Sequence, residues 1–384
     1  MALKIAINAS RARSGGAVAH LVGILGCLHP EEFGISEIHV WSYSGLLDRL
    51  PTAPWIIKHC AEELNAGLVT QMWWERFRLP EEVQKFSCSI LLNVDAGSVC
   101  RFSPAITMSR DMLSYEPGEI QRYGFGRERL RITALRYVQN AALRHADGAV
   151  FLTHYAAEVI QKSCGKLRNV AYIPHGVGAN FFNNRHSAAW PDAAERPVRC
   201  LYVSNALPYK HQWHVIDAVG RLRARGFNLQ LELVGGGDGA AQARLEKQIS
   251  ETDPEHTFVK QHDFVPQSAL PEFIAGADLF IFASSCENMP NTLLEAMAAG
   301  VPIACSDRGP MPEVLEDGGV YFDPEAPESI ASAVSALIQN QRIRERVAAR
   351  SRELAQNYSW HRCARETFRF VAQTADQVIK KNIV

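Results

Sequence analysis

Short apolar runs recur along the chain, and most are followed by a longer stretch whose apolar positions repeat at helical spacing. The first run, LKIAIN (Leu3–Asn8), reads as a buried strand; SRARSGGAVAHLVGILGCL after it reads as a glycine-bearing loop and a helix. EIHVWSY, CSILLNV, GAVFLT and VAYIPHG continue the series, with helical stretches between them such as Arg129–His145. The periodicity then lapses. NNRHSAAWPDAAERP (Asn183–Pro197) is polar, holds two prolines and follows no period, so it reads as a linker. The series restarts with VRCLYVS, LQLELVGGG, HTFVKQHDFV, ADLFIFAS and VPIACS, and a last helix, about His361–Lys381, follows NYSW. Strands alternating with helices predict parallel strands with crossover helices, and a series that runs twice predicts two α/β domains. The expected bounds are 1–185 for the first domain, 186–197 for the linker and 198–360 for the second.

Composition narrows the class. A chain of 384 residues is too long for one ordinary core, in keeping with two domains. A formal net charge of -1 gives no global attraction to nucleic acid or lipid. No apolar run approaches the ~20 residues that span a bilayer, and MALKIAINAS lacks the pattern of a signal peptide. The nine cysteines are scattered, odd in number and free of any CxxC or Cys/His cluster. They read as reduced thiols rather than zinc ligands or a disulfide frame, and a cytoplasmic location is expected.

Open parallel sheets bind ligands beyond the carboxyl ends of their strands. Chemistry is therefore expected in the loops Ser10–Gly16, Asn93–Cys100, Ser109–Glu119, Ser204–Lys210, Gly235–Gly239 and Ser284–Asn291. Three of them carry a signal of their own. Gly15 and Gly16, in SGG, open the first helix, where paired glycines let backbone amides approach an anion. In LVGGGDGA, Gly235, Gly237 and Ala240 fit the G-x-G-x-x-A dinucleotide fingerprint, yet Asp253 and Glu255, the acids about 20 positions on, fall in what reads as a loop. A dinucleotide turn and a tightly packed turn near another ligand both remain open. In YVSNALPYKHQW, Lys210 opens a helix and suits a phosphate, though a solvated lysine is the commoner case.

The loop SCENMP and the helix NTLLEAMAAG decide between these readings. Asn291 or Thr292 stands near the helix start and Gly300 is its expected stop. Glu287 lies just before the helix and Glu295 about one turn inside it. The helix dipole accounts for Glu295 by itself, at a few tenths to ~1 kcal/mol. It does not account for Glu287. Two carboxylates flanking a set of amide donors suit a ligand with hydroxyls at both ends and phosphates between them, as in a nucleotide sugar.

E-x7-E at Glu287–Glu295, followed by AMAAGVPIACSDRGPMPEVLEDGGVYFDP, resembles the retaining glycosyltransferases of family 4. YIPHGV (Tyr172–Val177), LYVSNALPYKH, WERFRLP (Trp74–Pro80) and NYSW extend the resemblance over most of the chain. It implies the GT-B fold, two doubly wound Rossmann-like domains facing across a cleft, with helix 361–384 returning to the first. It implies that Glu295 holds the ribose hydroxyls and Glu287 the donor sugar. Lys210 would pair with the diphosphate, which the amides around Met289, Pro290, Asn291 and Thr292 would also meet. Asn205, Gly235 and Val265 complete the donor side, with Gly15 and Gly16 across from them. Two departures stand out. Asn205 replaces an arginine common in the family, and SRDM, with Arg110 and Asp111, occupies the place of a histidine near the donor sugar, leaving their roles between acceptor and diphosphate.

The implied activity is metal-independent, retaining transfer of a hexose-type sugar to a glycan or lipid-linked acceptor in surface-polysaccharide synthesis. Nucleic acid is not expected as a partner, and no cofactor beyond the nucleotide-sugar co-substrate is implied. The chain contains no D-x-D pair of the kind that holds a catalytic cation. From Arg110 to Asn169, ten Lys/Arg against six Asp/Glu give a net +4, and RYGFGRERLRITALRYVQNAALRH mixes bases with apolar residues at helical spacing. Such a surface suits peripheral contact with an anionic membrane, or a solvated helix whose apolar side is core. The rivals are an NAD-dependent dehydrogenase using GGGDGA, and a non-transferring nucleotide-sugar enzyme or binding protein on the same fold.

Overall fold

The structure, a computed structural model, describes residues 2–13, 15–183, 190–191, 195–263 and 265–383, with side chains to residue 380. Within the expected linker 186–197, residues 186–189 and 192–194 lie outside the described residues. The chain divides into two compact units, Met1–Gly176 with Ser359–Val384, and Val177–Tyr358. The division at 176/177 comes earlier than the expected bound at 185, because the short helix Ala179–Asn183 packs on the helices Leu270–Gly276 and Asn291–Ala299 of the second unit.

The first unit holds strands β1 (Leu3–Asn8), β2 (Ile35–Ser42), β3 (Ile56–Cys60), β4 (Ile90–Asn93), β5 (Ala105–Met108), β6 (Gly148–Phe151) and β7 (Val170–Tyr172). They form one parallel sheet in the order β3-β2-β1-β4-β5-β6-β7. The second unit holds β8 (Val198–Val203), β9 (Leu229–Val234), β10 (Val259–His262), β11 (Leu279–Phe282), β12 (Ile303–Ser306) and β13 (Val320–Phe322), again all parallel, in the order β10-β9-β8-β11-β12-β13. Central strands such as β4, β6, β11 and β12 are buried along their whole length, as expected where helices cover both faces. The apolar pattern passed over β3, β5 and β13. β3 is an edge strand that alternates between covered and open positions, while β5 and β13 are only four and three residues long.

The helix read as Arg129–His145 begins two residues earlier, at Arg127, and the last helix is longer than expected, Trp360–Ile383. That last helix packs on Gly16–Gly26 within the first unit. Each sheet changes direction of strand order once. In the first, β1 lies between β2 and β4; in the second, β8 lies between β9 and β11. The crevice at the carboxyl ends of these adjacent strands is where an open α/β sheet takes its ligand.

Candidate active site

In the second unit the switch point lies between β8 and β11, and the loops that leave these two strands carry Lys210 and Glu287. The β8 loop ends in a tight turn, Pro208–Lys210, whose last carbonyl accepts a 2.7 Å hydrogen bond from the hydroxyl of buried Tyr202. His211 follows in a left-handed backbone (φ 51), uncommon for a residue with a side chain. Its Nε2 lies 2.8 Å from Ser285 Oγ, and the Ser285 amide donates to the Tyr209 carbonyl at 2.9 Å. These bonds stitch the two loops together. Lys210 Nζ donates to Glu287 Oε1 in a close, mostly buried ion pair. The ammonium also lies 5.3 Å from the Tyr209 ring centroid and 5.8 Å from that of Phe282.

Neither acid of the E-x7-E pair caps a helix. Asn291–Ala299 begins after Pro290, which offers no side-chain cap, and no acid stands in its first turn. The helix stops, as expected, at Gly300 in a left-handed conformation. Its first amides have no preceding turn to bond to and so face the loop. Glu295 lies past that turn, where the dipole has faded, so the dipole account of this residue fails. It is buried, and its Oε2 has no hydrogen-bond partner among the described residues. Burial lifts its carboxyl to about 8. An apolar side chain would fill such a place at lower cost, so the geometry asks for hydroxyl donors supplied from outside. Met289 and Pro290 are buried in the loop, and Asn291 and Thr292 are half-buried, with Thr292 Oγ1 donating to the Val203 carbonyl at 3.4 Å. Asn205 is exposed beside Gly235, and Val265 is half-buried beyond β10.

The strand order removes the dinucleotide reading. A dinucleotide fingerprint belongs to the loop after the strand at the switch point, which is β8; GGGDGA follows β9, one strand away. The glycine is required for another reason. Gly235 sits at φ 111 with the Ser204 carbonyl where a Cβ would stand, so the β9 loop lies directly on the β8 loop. Asp253 holds a turn instead of a ribose, accepting bonds of 2.8–2.9 Å from the amides of Thr257, Phe258 and Val259.

In the first unit the switch point lies between β1 and β4. Gly15, at φ 57, precedes the helix Gly16–Gly26 in a conformation that favours glycine. Ser14 lies outside the described residues. The Arg110 guanidinium is half-buried and donates to the Ala17 carbonyl at 3.2 Å, so it braces the first turn of that helix. Burial lowers it to about 10, with Asp95 opposing the shift. Asp111 shapes its own turn: its carboxylate accepts from the Leu113 amide at 2.9 Å and from Gln139 Nε2 at 3.4 Å. It is committed to the fold.

Sequence reasoning missed two groups here. Glu75 is fully buried on a π-turn, Trp74–Arg78, and accepts from Asn8 Nδ2 at 3.0 Å, Ser10 Oγ at 2.6 Å and Arg11 Nη2 at 2.8 Å. It ties the β1 loop to WERFRLP, and π-turns often mark functional sites. His20 stacks on His175 at 4.7 Å with its Nε2 3.6 Å from Cys363 Sγ, and burial, His175 and Arg110 hold it well below the usual histidine range. The HG of YIPHGV was the available signal for His175.

A family profile described as "Glycosyl transferases group 1" matches residues 188–354, which contain Lys210, Glu287 and Glu295. That segment of the chain is similar to the group 1 glycosyltransferases. It is 32% identical to O-antigen chain mannosyltransferase B of Escherichia coli over 31% of its own length and 32% of that protein's. It is 29% identical to a GDP-mannose-dependent phosphatidylinositol monomannoside mannosyltransferase of Mycolicibacterium smegmatis over 59% of its length and 62% of that relative's. The matches thus span less than two thirds of these relatives. The fold is shared end to end with Anabaena HepE, solved with UDP and glucose (TM-score 0.67, 18% identity, 99% of each chain).

Proposed function

We propose that this chain is a retaining glycosyltransferase that moves a sugar from a nucleotide-diphosphate sugar to a glycan or lipid-linked glycan in surface-polysaccharide synthesis. The observation that carries the reading is the pairing of a cation and a carboxylate at one switch point, beside a helix start and a buried carboxyl that lacks a donor. Glu295 takes the ribose hydroxyls. Lys210 and the first amides of Asn291–Ala299 take the diphosphate, whose charge grows as the sugar leaves; preorganised donors act most strongly there. Glu287, released from Lys210 as the phosphates arrive, takes hydroxyls of the donor sugar. The lysine and the helix start supply the positive field without a cation. The relatives' names support a polysaccharide or lipid-linked acceptor.

Incubation of the purified chain with UDP- and GDP-hexoses and glycan acceptors, in the presence of EDTA, tests this. Release of nucleoside diphosphate that depends on acceptor and is undiminished by EDTA is expected. Complete loss restored by magnesium or manganese would remove the metal-independent part. Nucleotide binding with no acceptor-dependent release from any donor would favour the non-transferring reading.

Among the described residues no helix is long and apolar enough to cross a membrane, so any lipid contact of these residues' helices is peripheral. The helix Arg127–His145 supports one. Leu130 and Tyr137 are mostly exposed on it and Phe125, just before it, is 98% exposed, while Arg127 and Arg131 lie open beside them. Vesicles containing phosphatidylglycerol should carry the chain upward in a flotation gradient at low salt and lose it at high salt. Equal behaviour on neutral vesicles would end the lipid argument and leave the transferase one intact.

A further inference from the structure

The loop after β5 and the helix Arg127–His145 enclose a cavity of about 340 Å3 in the first unit, lined by Ser114, Glu116, Gln121, Arg129, Thr133 and Arg136 among others. This is at the small end of the range for ligand sites, ~300–1,000 Å3, and suits one sugar ring rather than a chain. Its walls are held firmly. Ser114 Oγ donates to Gln139 Oε1 at 2.8 Å, and Tyr115 OH to Asn140 Oδ1 at 3.0 Å, so two successive loop residues are pinned to buried amides of the helix. Glu116 comes next and is 91% buried by its 9% exposure. Tyr155 OH donates to its Oε1; its Oε2 is buried with no hydrogen-bond partner among the described residues. Burial lifts this carboxyl to about 7, with Tyr155 opposing the shift and Glu119 adding to it.

The opposite wall is cationic. Arg129, Thr133 and Arg136 stand at i, i+4 and i+7, one stripe of the helix. Neither arginine is in an ion pair among the described residues; Arg129 rests 4.6 Å from the ring centroid of Phe125. Two unpaired guanidinium groups suit a carboxylate or a phosphate, which they bind in forked geometry. The buried Glu116 oxygen suits a hydroxyl. A bare anion would leave that oxygen unanswered, and a neutral sugar would leave the arginines unanswered.

We propose that this cavity is the acceptor-recognition pocket and that it takes a single anionic sugar residue, a uronic acid or a sugar phosphate. Calling the ligand an acceptor rests on the transferase reading; the pocket and its ligand class do not. The site lies in the first unit, apart from the residues assigned to the donor, so its test needs no donor and no turnover.

Isothermal titration of the full chain with glucuronic acid, glucose 6-phosphate, glucose and inorganic phosphate tests the assignment, with UDP and GDP binding measured in parallel. At least one anionic sugar should bind at least about tenfold more tightly than both glucose and phosphate, the scale of one charged hydrogen bond. The tighter of the two names the anion. Arg136→Gln and Arg129→Gln should each weaken that binding at least about tenfold while nucleotide affinity and Tm hold; the second variant covers the first if it misfolds. Glucose or phosphate binding as tightly as the tighter of the two anionic sugars, unchanged affinity in both folded arginine variants, or no binding of any probe would each overturn the pocket. Failure of the unaltered chain to bind either UDP or GDP would instead count against the transferase reading.

Discussion

Lys210→Ala should lower kcat by roughly 10²–10³ and leave donor affinity less affected, the scale seen when one preorganised stabilising group is lost. The argument rests on the ion pair with Glu287, which is mostly buried and sits where the β8 and β11 loops are stitched together. In the free protein this pair neutralises both groups. On the proposed reading, donor entry exchanges it for two better contacts, ammonium to diphosphate and carboxylate to sugar hydroxyls. Removing the lysine therefore costs twice: the leaving group loses its cation, and an unpaired carboxylate is left beside incoming phosphates. Glu287→Gln should mainly lower kcat too, since on the proposed reading it faces the ring whose charge and shape change during transfer. The double variant Lys210→Ala/Glu287→Gln should be less impaired than the product of the single effects, because the glutamine no longer repels the diphosphate. Steady-state rates on folded variants, with Tm measured beside them, check this. A solvated lysine predicts near-wild-type turnover in both single variants, and that outcome would sink the donor site as drawn.

What the sequence disclosed and what it hid separate along a physical line. Local grammar was legible. A strand, a loop with an acid, a helix and a terminal glycine at Leu279–Gly300 follow from apolar runs and a stop residue within about twenty positions. Relations set by strand order were not. That GGGDGA lies one strand from the switch point depends on β8 standing between β9 and β11, which no window of sequence reports. Pairings over long separations were equally hidden. Lys210 meets Glu287 across 77 residues, Asn8 meets Glu75 across 67, and His20 meets Cys363 across 343. Burial of single acids was hidden for a related reason. Glu116 and Glu295 sit in stretches where a surface carboxylate would read the same, and only the packing of the β5 loop and of the helix Asn291–Ala299 removes them from water. Asp111, by contrast, looked like chemistry because it stands next to Arg110, and its two bonds make it a turn former.

Glu295→Gln should change both stability and binding, each with its own dependence on pH. Burial raises this carboxyl from 4.5 to about 8. Between those values the folded chain keeps a proton that the unfolded chain has released. The group's contribution is therefore fully present below pH ~4.5, falls as pH rises through the window, and is lost above pH ~8. The full loss is at most roughly 5 kcal/mol, at ~1.4 kcal/mol per pH unit. Glutamine cannot ionise, so the variant's unfolding free energy should stay flatter between pH 5 and 8 and exceed that of the unaltered chain at the alkaline end. Binding should run the other way. A carboxylate accepting two ribose hydroxyls must give up its proton, so donor affinity in the unaltered chain should rise with pH up to ~8 and then level off, with a proton released to the buffer. In Glu295→Gln that slope should vanish and KM should rise roughly 10–100-fold with kcat little changed, because the ribose is held alike in ground and transition states. Chemical denaturation across pH and titration calorimetry in buffers of different ionisation heat read the two effects separately. A carboxyl buried for structure alone would alter the stability curve and leave KM and proton release where they were. A KM within twofold of the unaltered chain would remove Glu295 from the ribose, since even one neutral hydrogen bond is worth about 0.5–1.5 kcal/mol.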